Sequence, residues 1–251
     1  MRFPHFILAL VLLPACSSTN RMLKAGPVAL SPFFEQPSLA QDASRQLGFQ
    51  KIWTTLDPQA LAAGIAKRKL YIAPVTLDYL RRVNRAIASG EVAWGGVQRR
   101  EVEVAVRLRE EFVAAFRRSP TPYYRLVNQP GKDTLTLRLA VIELNPTSPK
   151  GNAVVTMLKF VVTPMVGLAA YFTKGNMAIE GKVVDSGSGR PFFQFADNES
   201  DKLTFINLRD YQPYGHAVNT MHYWATQFEL MTRTPHGCKV KDSGSITLRL
   251  N

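Results

Sequence analysis

Residues 134–144 constrain the fold more than any other stretch. Leu135, Leu137, Leu139 and Val141 alternate with Thr134, Thr136 and Arg138. A strand sends successive side chains to opposite faces, so this run predicts a β-strand with one face in a core. It also demands partner strands and something apolar to cover that face. Residues 177–185 offer a second alternation, with Ile179 and Val183 set against Glu180 and Lys182. Ser186-Gly187-Ser188-Gly189 then turns the chain into residues 191–196, which reads as a hairpin. Residues 70–75 and 123–127 are shorter strand candidates, and Pro74 makes the first an edge strand or a strand end.

Two helices complete the pattern. Val102, Ala105, Phe112, Val113 and Phe116 mark one face of a helix over residues 98–118, stopped by Ser119-Pro120. Val218, Met221, Trp224, Ala225, Phe228 and Met231 mark another over 216–232, with Trp224, Phe228 and Met231 expected in the core. Residues 245–250 read as a weak terminal strand. The expected fold is α+β, a largely antiparallel or mixed sheet packed against two main helices.

The N-terminus carries an address. Arg2 precedes an apolar run over residues 6–13, too short for the ~20 residues that span a bilayer. Leu13-Pro14-Ala15-Cys16 resembles a bacterial lipobox. That resemblance implies cleavage between Ala15 and Cys16, lipid attachment such as palmitate at Cys16, and a place in the cell envelope. By resemblance to enterobacterial sorting rules, Ser17 in place of an aspartate implies the outer membrane, with the domain facing the periplasm. The expected organisation is a signal peptide at 1–15, a lipidated flexible tether at 16–50 and a single domain at 51–251. Phe33, Phe34 and Phe49 are the tether residues able to dock on that domain.

Several segments in order and spacing resemble the bacterial lipoprotein family known as domain of unknown function 3313. They are the lipobox, Tyr71-Ile72-Ala73-Pro74-Val75, the turn and strand from Gln129-Pro130-Gly131-Lys132 to Arg138, the hairpin at 179–189, and the helix with Trp224-Ala225. The resemblance implies a mixed α/β periplasmic domain on a lipid anchor. It supplies no activity and no catalytic residues.

The residues themselves spell no catalytic motif. His216 and His222 are six apart, which separates them by about 240° around a helix; metal-binding pairs sit three or four apart. No G-x-S-x-G or P-loop occurs. Glu110 and Glu111 read as helix-surface neighbours, and Glu180 and Asp185 as strand-face and turn residues. Cys238, beside His236 in a turn, reads as a structural thiol. Residues 153–172 are strongly apolar but contain Lys159 and Pro164, which favours a buried helical excursion over a membrane span.

Charge is the remaining clue. The formal net charge is +12, from 31 Lys+Arg against 19 Asp+Glu. The signal segment holds only Arg2, so the excess stays with the mature chain. Lys67, Arg68, Lys69, Arg81, Arg82 and Arg85 are the candidate contacts to an anionic lipid or polymer of the envelope. An exported lipoprotein does not meet nucleic acid, which excludes that partner. The expectation is a non-enzymatic binding or accessory module without a cofactor or metal, besides covalent lipid on Cys16. The alternatives are a subunit or activator of an envelope transport or assembly complex, and an envelope-polymer hydrolase or transferase using Glu180, Asp185 or a histidine.

Overall fold

The computed structural model describes residues 27–43, 47–81, 94–145, 176–200, 215–235 and 238–240. Within these, β1 (Gln41–Asp42), β2 (Lys51–Thr54), β3 (Lys69–Ile72), β4 (Arg125–Val127), β5 (Leu135–Asn145), β6 (Asn176–Asp185) and β7 (Pro191–Ser200) form one mixed sheet. The strand order is β1-β2-β7-β6-β5-β3-β4. Neighbours from β1 to β5 are antiparallel, while β3 runs parallel to both β5 and β4. A parallel pair needs a long crossover, and the connection from β3 to β4 contains a long helix.

Among the described residues three α-helices accompany the sheet: α1 (Pro58–Ala66), α2 (Trp94–Arg118) and α3 (Gly215–Arg233). Helix α1 starts on an Asp57 cap, whose carboxylate accepts from the N–H groups of Gln59 and Ala60 at 2.9 and 3.2 Å. Pro58 occupies the first turn, where its missing N–H costs nothing. The architecture is therefore the α+β fold expected from the alternating strands and periodic helices.

The alternation in β5 buries one face, as its pattern predicts: Leu135, Leu137, Leu139 and Val141 are all essentially buried beneath α2 and α3. They meet Leu70 and Ile72 from β3, Ile179 and Val183 from β6, and Phe195 from β7. The helices contribute Leu108, Phe112 and Phe116 on one side, and Met221, Trp224 and Phe228 on the other. Met231 is only partly buried at the margin of this cluster.

The register of β5 against β6 shifts between Val141 and Glu143. This bulge reverses the facing of the strand beyond it, so Leu144 joins the helix-side core instead of Glu143. Helix α2 departs from expectation at Val102, which is 54% exposed, as is Val106. Its buried stripe runs through Val104, Ala105, Leu108, Phe112, Ala115 and Phe116. Val102 and Val106, one turn apart, lie together off that stripe.

Residues 27–43 and 47–50, part of the stretch read as tether, lie packed against the sheet. Phe33, Phe34 and Phe49 are 5%, 2% and 0% exposed. Phe49 joins the helix-side core, whereas Phe33 and Phe34 cover the opposite, outer face. Paired aromatics gain more by burial than the polar residues around them gain by remaining a loose linker. The apolar segment 153–172 and the candidate strand at 245–250 lie outside the described residues, as does the lipobox. No helix among the described residues is long and apolar enough to cross a membrane.

Candidate functional site

The first candidate surface is the end of the sheet where β3, β4 and β5 begin and β6 turns into β7. Lys67, Arg68 and Lys69 enter it together because α1 ends at Ala66 and β3 starts at Lys69. Lys67 donates to the Lys132 carbonyl at 2.6 Å and forms a short ion pair with Asp185. Asp185 caps the hairpin turn, accepting the N–H groups of Gly187 and Ser188 at 2.9 and 2.8 Å. Gly189 completes that turn at φ 75°, a conformation suited to glycine. Partial burial pushes the Asp185 carboxyl up, but the Lys67 hydrogen bond, the Ser188 N–H, the Lys67 charge and the Gly187 N–H bring it down to about 2.

Lys69 pairs with Asp133 at 3.0 Å in a largely exposed setting. Arg68 lies 3.8 Å from the Tyr123 ring centroid, a cation–π contact that leaves its charge available. Burial raises the neighbouring Tyr124 hydroxyl to about 12, opposed by the Arg68 charge. Arg125 and Lys132 are exposed at the same end. Arg190, 71% exposed, reaches only to 3.8 Å of Asp57. Six cations thus stand against the three carboxylates of Asp57, Asp133 and Asp185, and short structural contacts fix where several of them point.

Arg81 does not join this cluster. Its guanidinium reaches the Ala29 carbonyl and stands 3.7 Å from Glu143, on the outer face of the sheet. Arg82 and Arg85 lie outside the described residues. The basic run of the sequence is therefore divided between two places.

The outer face holds the second constellation. Glu180 accepts from the Ser31 N–H at 2.7 Å and the Ser31 hydroxyl at 2.6 Å. Gln194 clasps the Glu35 main chain, accepting from its N–H at 2.8 Å and donating to its carbonyl at 2.9 Å. Lys182 donates to the Phe33 carbonyl and to the Glu35 carboxylate, at 3.2 and 2.7 Å. Burial raises the Glu180 carboxyl above its ordinary range, partly opposed by the Ser31 hydrogen bonds and the Arg81 charge. A small recess of about 10 Å³ adjoins Glu180 between Pro27, Val28 and Ile142.

A third polar cluster joins the helices. Glu111 is 6% exposed and meets Arg107 at 2.7 Å, His222 at 3.3 Å and Arg118 at 3.5 Å. Its burial corrects the surface role read from the Glu110-Glu111 pair: position 111 faces α3, while Glu110 remains exposed. Trp224 donates to Asp197 at 2.6 Å within the core.

These placements bear on the acid–base candidates. Glu180 and Asp185 are five residues apart on one strand, which places them on opposite faces and about 17 Å apart. Glu180 faces the outer side, whereas His222 sits against Glu111 between the helices. The structure brings neither carboxylate beside His222; the side chain of His216 lies outside the described residues. Cys238 is exposed and free, with its N–H donating to the Pro235 carbonyl in the expected turn. Among the described residues no group of three or more His, Cys, Asp or Glu could hold a metal ion.

Sequence reasoning missed the roles of Ser31, Gln194 and Asp197, because each acts through a partner far away in the chain. The available signal was Phe33-Phe34 within an otherwise polar N-terminal stretch.

The fold is that of an α+β domain with a mixed seven-stranded sheet, two long helices on one face and an N-terminal segment on the other. The chain belongs to the family described as "Protein of unknown function (DUF3313)", whose model matches residues 31–228. That span includes the outer-face residues Ser31 to Glu35. No curated protein matches the chain. Among solved structures, the PelC dodecamer of Paraburkholderia phytofirmans is similar over 71% of this chain and 96% of that chain, at 10% identity and a TM-score of 0.36. A leucine-to-methionine variant of that dodecamer covers 71% and 98%, at 10% identity and a TM-score of 0.34.

Proposed function

We propose that this chain is a lipid-anchored, non-enzymatic binding module of the cell envelope, whose basic end contacts an anionic envelope lipid or polymer. The observation that carries the proposal is the convergence of Lys67, Arg68, Lys69, Arg125, Lys132 and Arg190 around one end of the sheet. Lipid at Cys16, export to the periplasm and placement at the outer membrane rest on the lipobox resemblance. Each cation near an anionic membrane surface contributes about 1 kcal/mol. The cluster therefore suits a weak, salt-sensitive contact that anchoring in the same envelope makes effective.

Vesicle sedimentation of the unlipidated Cys16→Ala chain, as the parent for both proteins compared, tests the contact directly. Reversing two exposed charges with Arg125→Glu and Arg190→Glu should weaken binding to anionic vesicles more than tenfold. Binding to neutral vesicles should remain weak for both proteins. Equal binding of the parent and the double variant at low salt would overturn the assignment of this surface. Fractionation of cells expressing Cys16→Ala tests the anchor separately, since loss of lipid should move the chain out of the membrane fraction.

A further inference from the structure

Residues 27–35 lie on the outer face of the sheet without entering any strand ladder. Side chains of the sheet and of the loop after β3 hold them instead. Arg81 takes the Ala29 carbonyl, Glu180 takes Ser31, Lys182 takes the Phe33 carbonyl, and Gln194 takes both main-chain groups of Glu35. The segment turns where the Phe34 N–H donates to the Ser31 carbonyl at 3.1 Å, and contacts on both sides of that turn tie it to the sheet. Apolar contacts reinforce the polar ones: Phe33 packs on Ala140, Ile142 and Ala178, and Phe34 on Trp53 and Ala196.

The joint between this strap and the rest of the chain is strained. Gln36 has φ 56° and ψ 53°, and among the described residues it is the one non-glycine with positive φ. Left-handed backbone is unfavourable for a residue with a Cβ. Pro37 adds to the strain, because a proline drives the residue before it towards extended backbone. A self-contained docking segment behind a short strained hinge is an arrangement that favours exchange between copies.

We propose that residues 27–35 exchange between two copies of this chain, each strap filling the outer-face groove of its partner. The Gln36-Pro37 hinge opens to extended backbone on exchange. Every strap contact is reproduced in the dimer, so the balance is set by hinge strain against the entropy of association. That balance makes the hinge residue the control point of the assembly.

Two full-length copies with different tags, co-expressed, test this. One carries Ser31→Cys, the other Glu180→Cys, and both carry Cys238→Ser. A short bismaleimide then reports which strap lies in which groove, with chains lacking both new cysteines as the baseline. A single chain carrying both cysteines establishes that the reagent spans the pair. Exchange predicts a covalent product bearing both tags. Gln36→Gly, which tolerates the left-handed hinge, should reduce that product about tenfold. Absence of the two-tag product, when the doubly substituted chain bridges internally, overturns exchange. A two-tag product unaffected by Gln36→Gly overturns the role of the hinge. Glu35→Cys with Lys182→Cys reads the same contact if Glu180→Cys does not accumulate.

Discussion

Gly181 is the position at which one methyl group should do the most damage. It sits on β6 between Leu139 and Phe195 in the neighbouring strands. A Cβ at this position would lie 2.2, 2.3 and 2.9 Å from atoms of the Phe195 ring. That ring is fully buried and cannot step aside easily. It is 4.4 Å from Phe49, 5.3 Å from Phe228 and 6.1 Å from Phe193, centroid to centroid. The aromatic ring covers the bare backbone of the glycine, which offsets the weakness of glycine within a strand.

For Gly181→Ala, the forced displacement of Phe195 should cost about 3 kcal/mol, the upper end for overpacking. Replacing a strand glycine recovers about 0.7 kcal/mol through the unfolded chain. The net loss is then about 2 kcal/mol, a fall in Tm of about 4–8 °C for a domain of this size. Thermal and urea unfolding of Gly181→Ala, Phe195→Leu and the double variant measure the coupling. The smaller leucine should lower the cost of the alanine by at least about 1 kcal/mol. A Gly181→Ala protein within about 0.5 kcal/mol of wild type, or an equal cost in both backgrounds, would refute this account of the packing.

Two further perturbations address the polar contacts. Trp224→Phe keeps the aromatic volume of α3 but removes the 2.6 Å bond to Asp197; it should cost about 1–2 kcal/mol in urea unfolding, as removing one partner of a buried hydrogen bond does. Asp185→Asn removes a carboxylate whose folded pKa is depressed to about 2. Wild type should therefore be more stable than the variant above pH ~5, and the advantage should disappear as pH falls through about 2. An advantage unchanged at pH ~2 would remove the Lys67–Asp185 charge pair as its source.

The helix-side half of the fold is readable from local pattern because one face of each element is apolar at its own period. Leu135 to Val141 announce their facing by a period of two, and Phe112 to Phe116 and Met221 to Phe228 by the helical period. Val102 shows where that reading fails: it lies close enough to the apolar stripe to pass for part of it, yet only contact with α3 and the sheet decides which of several valines is covered. The outer face is hidden for a different reason. Its contacts join Ser31 to Glu180 and Glu35 to Gln194, across 149 and 159 residues. No local periodicity encodes such pairs, and polar side chains that would suit solvent equally well take part in them.

The same distinction applies to the charge. Counting cations between residues 67 and 85 suggests one surface, yet the chain folds Lys67–Lys69 to one end of the sheet and Arg81 to the outer face. Arg81 is then engaged by the strap and Glu143, and Lys67 by Asp185, so charge density along the sequence overstates what is offered to a partner. The residues that extend the basic end, Arg125, Lys132 and Arg190, come from β4, the turn before β5 and the hairpin before β7. They converge because β3, β4 and β5 start at one end and the β6–β7 turn closes over it. The unit that can meet an anion is consequently a product of sheet topology. Sequence changes that leave every one of these charges in place but break the β6–β7 turn, such as Gly189→Val at its φ of 75°, should weaken binding to anionic vesicles as effectively as removing a charge.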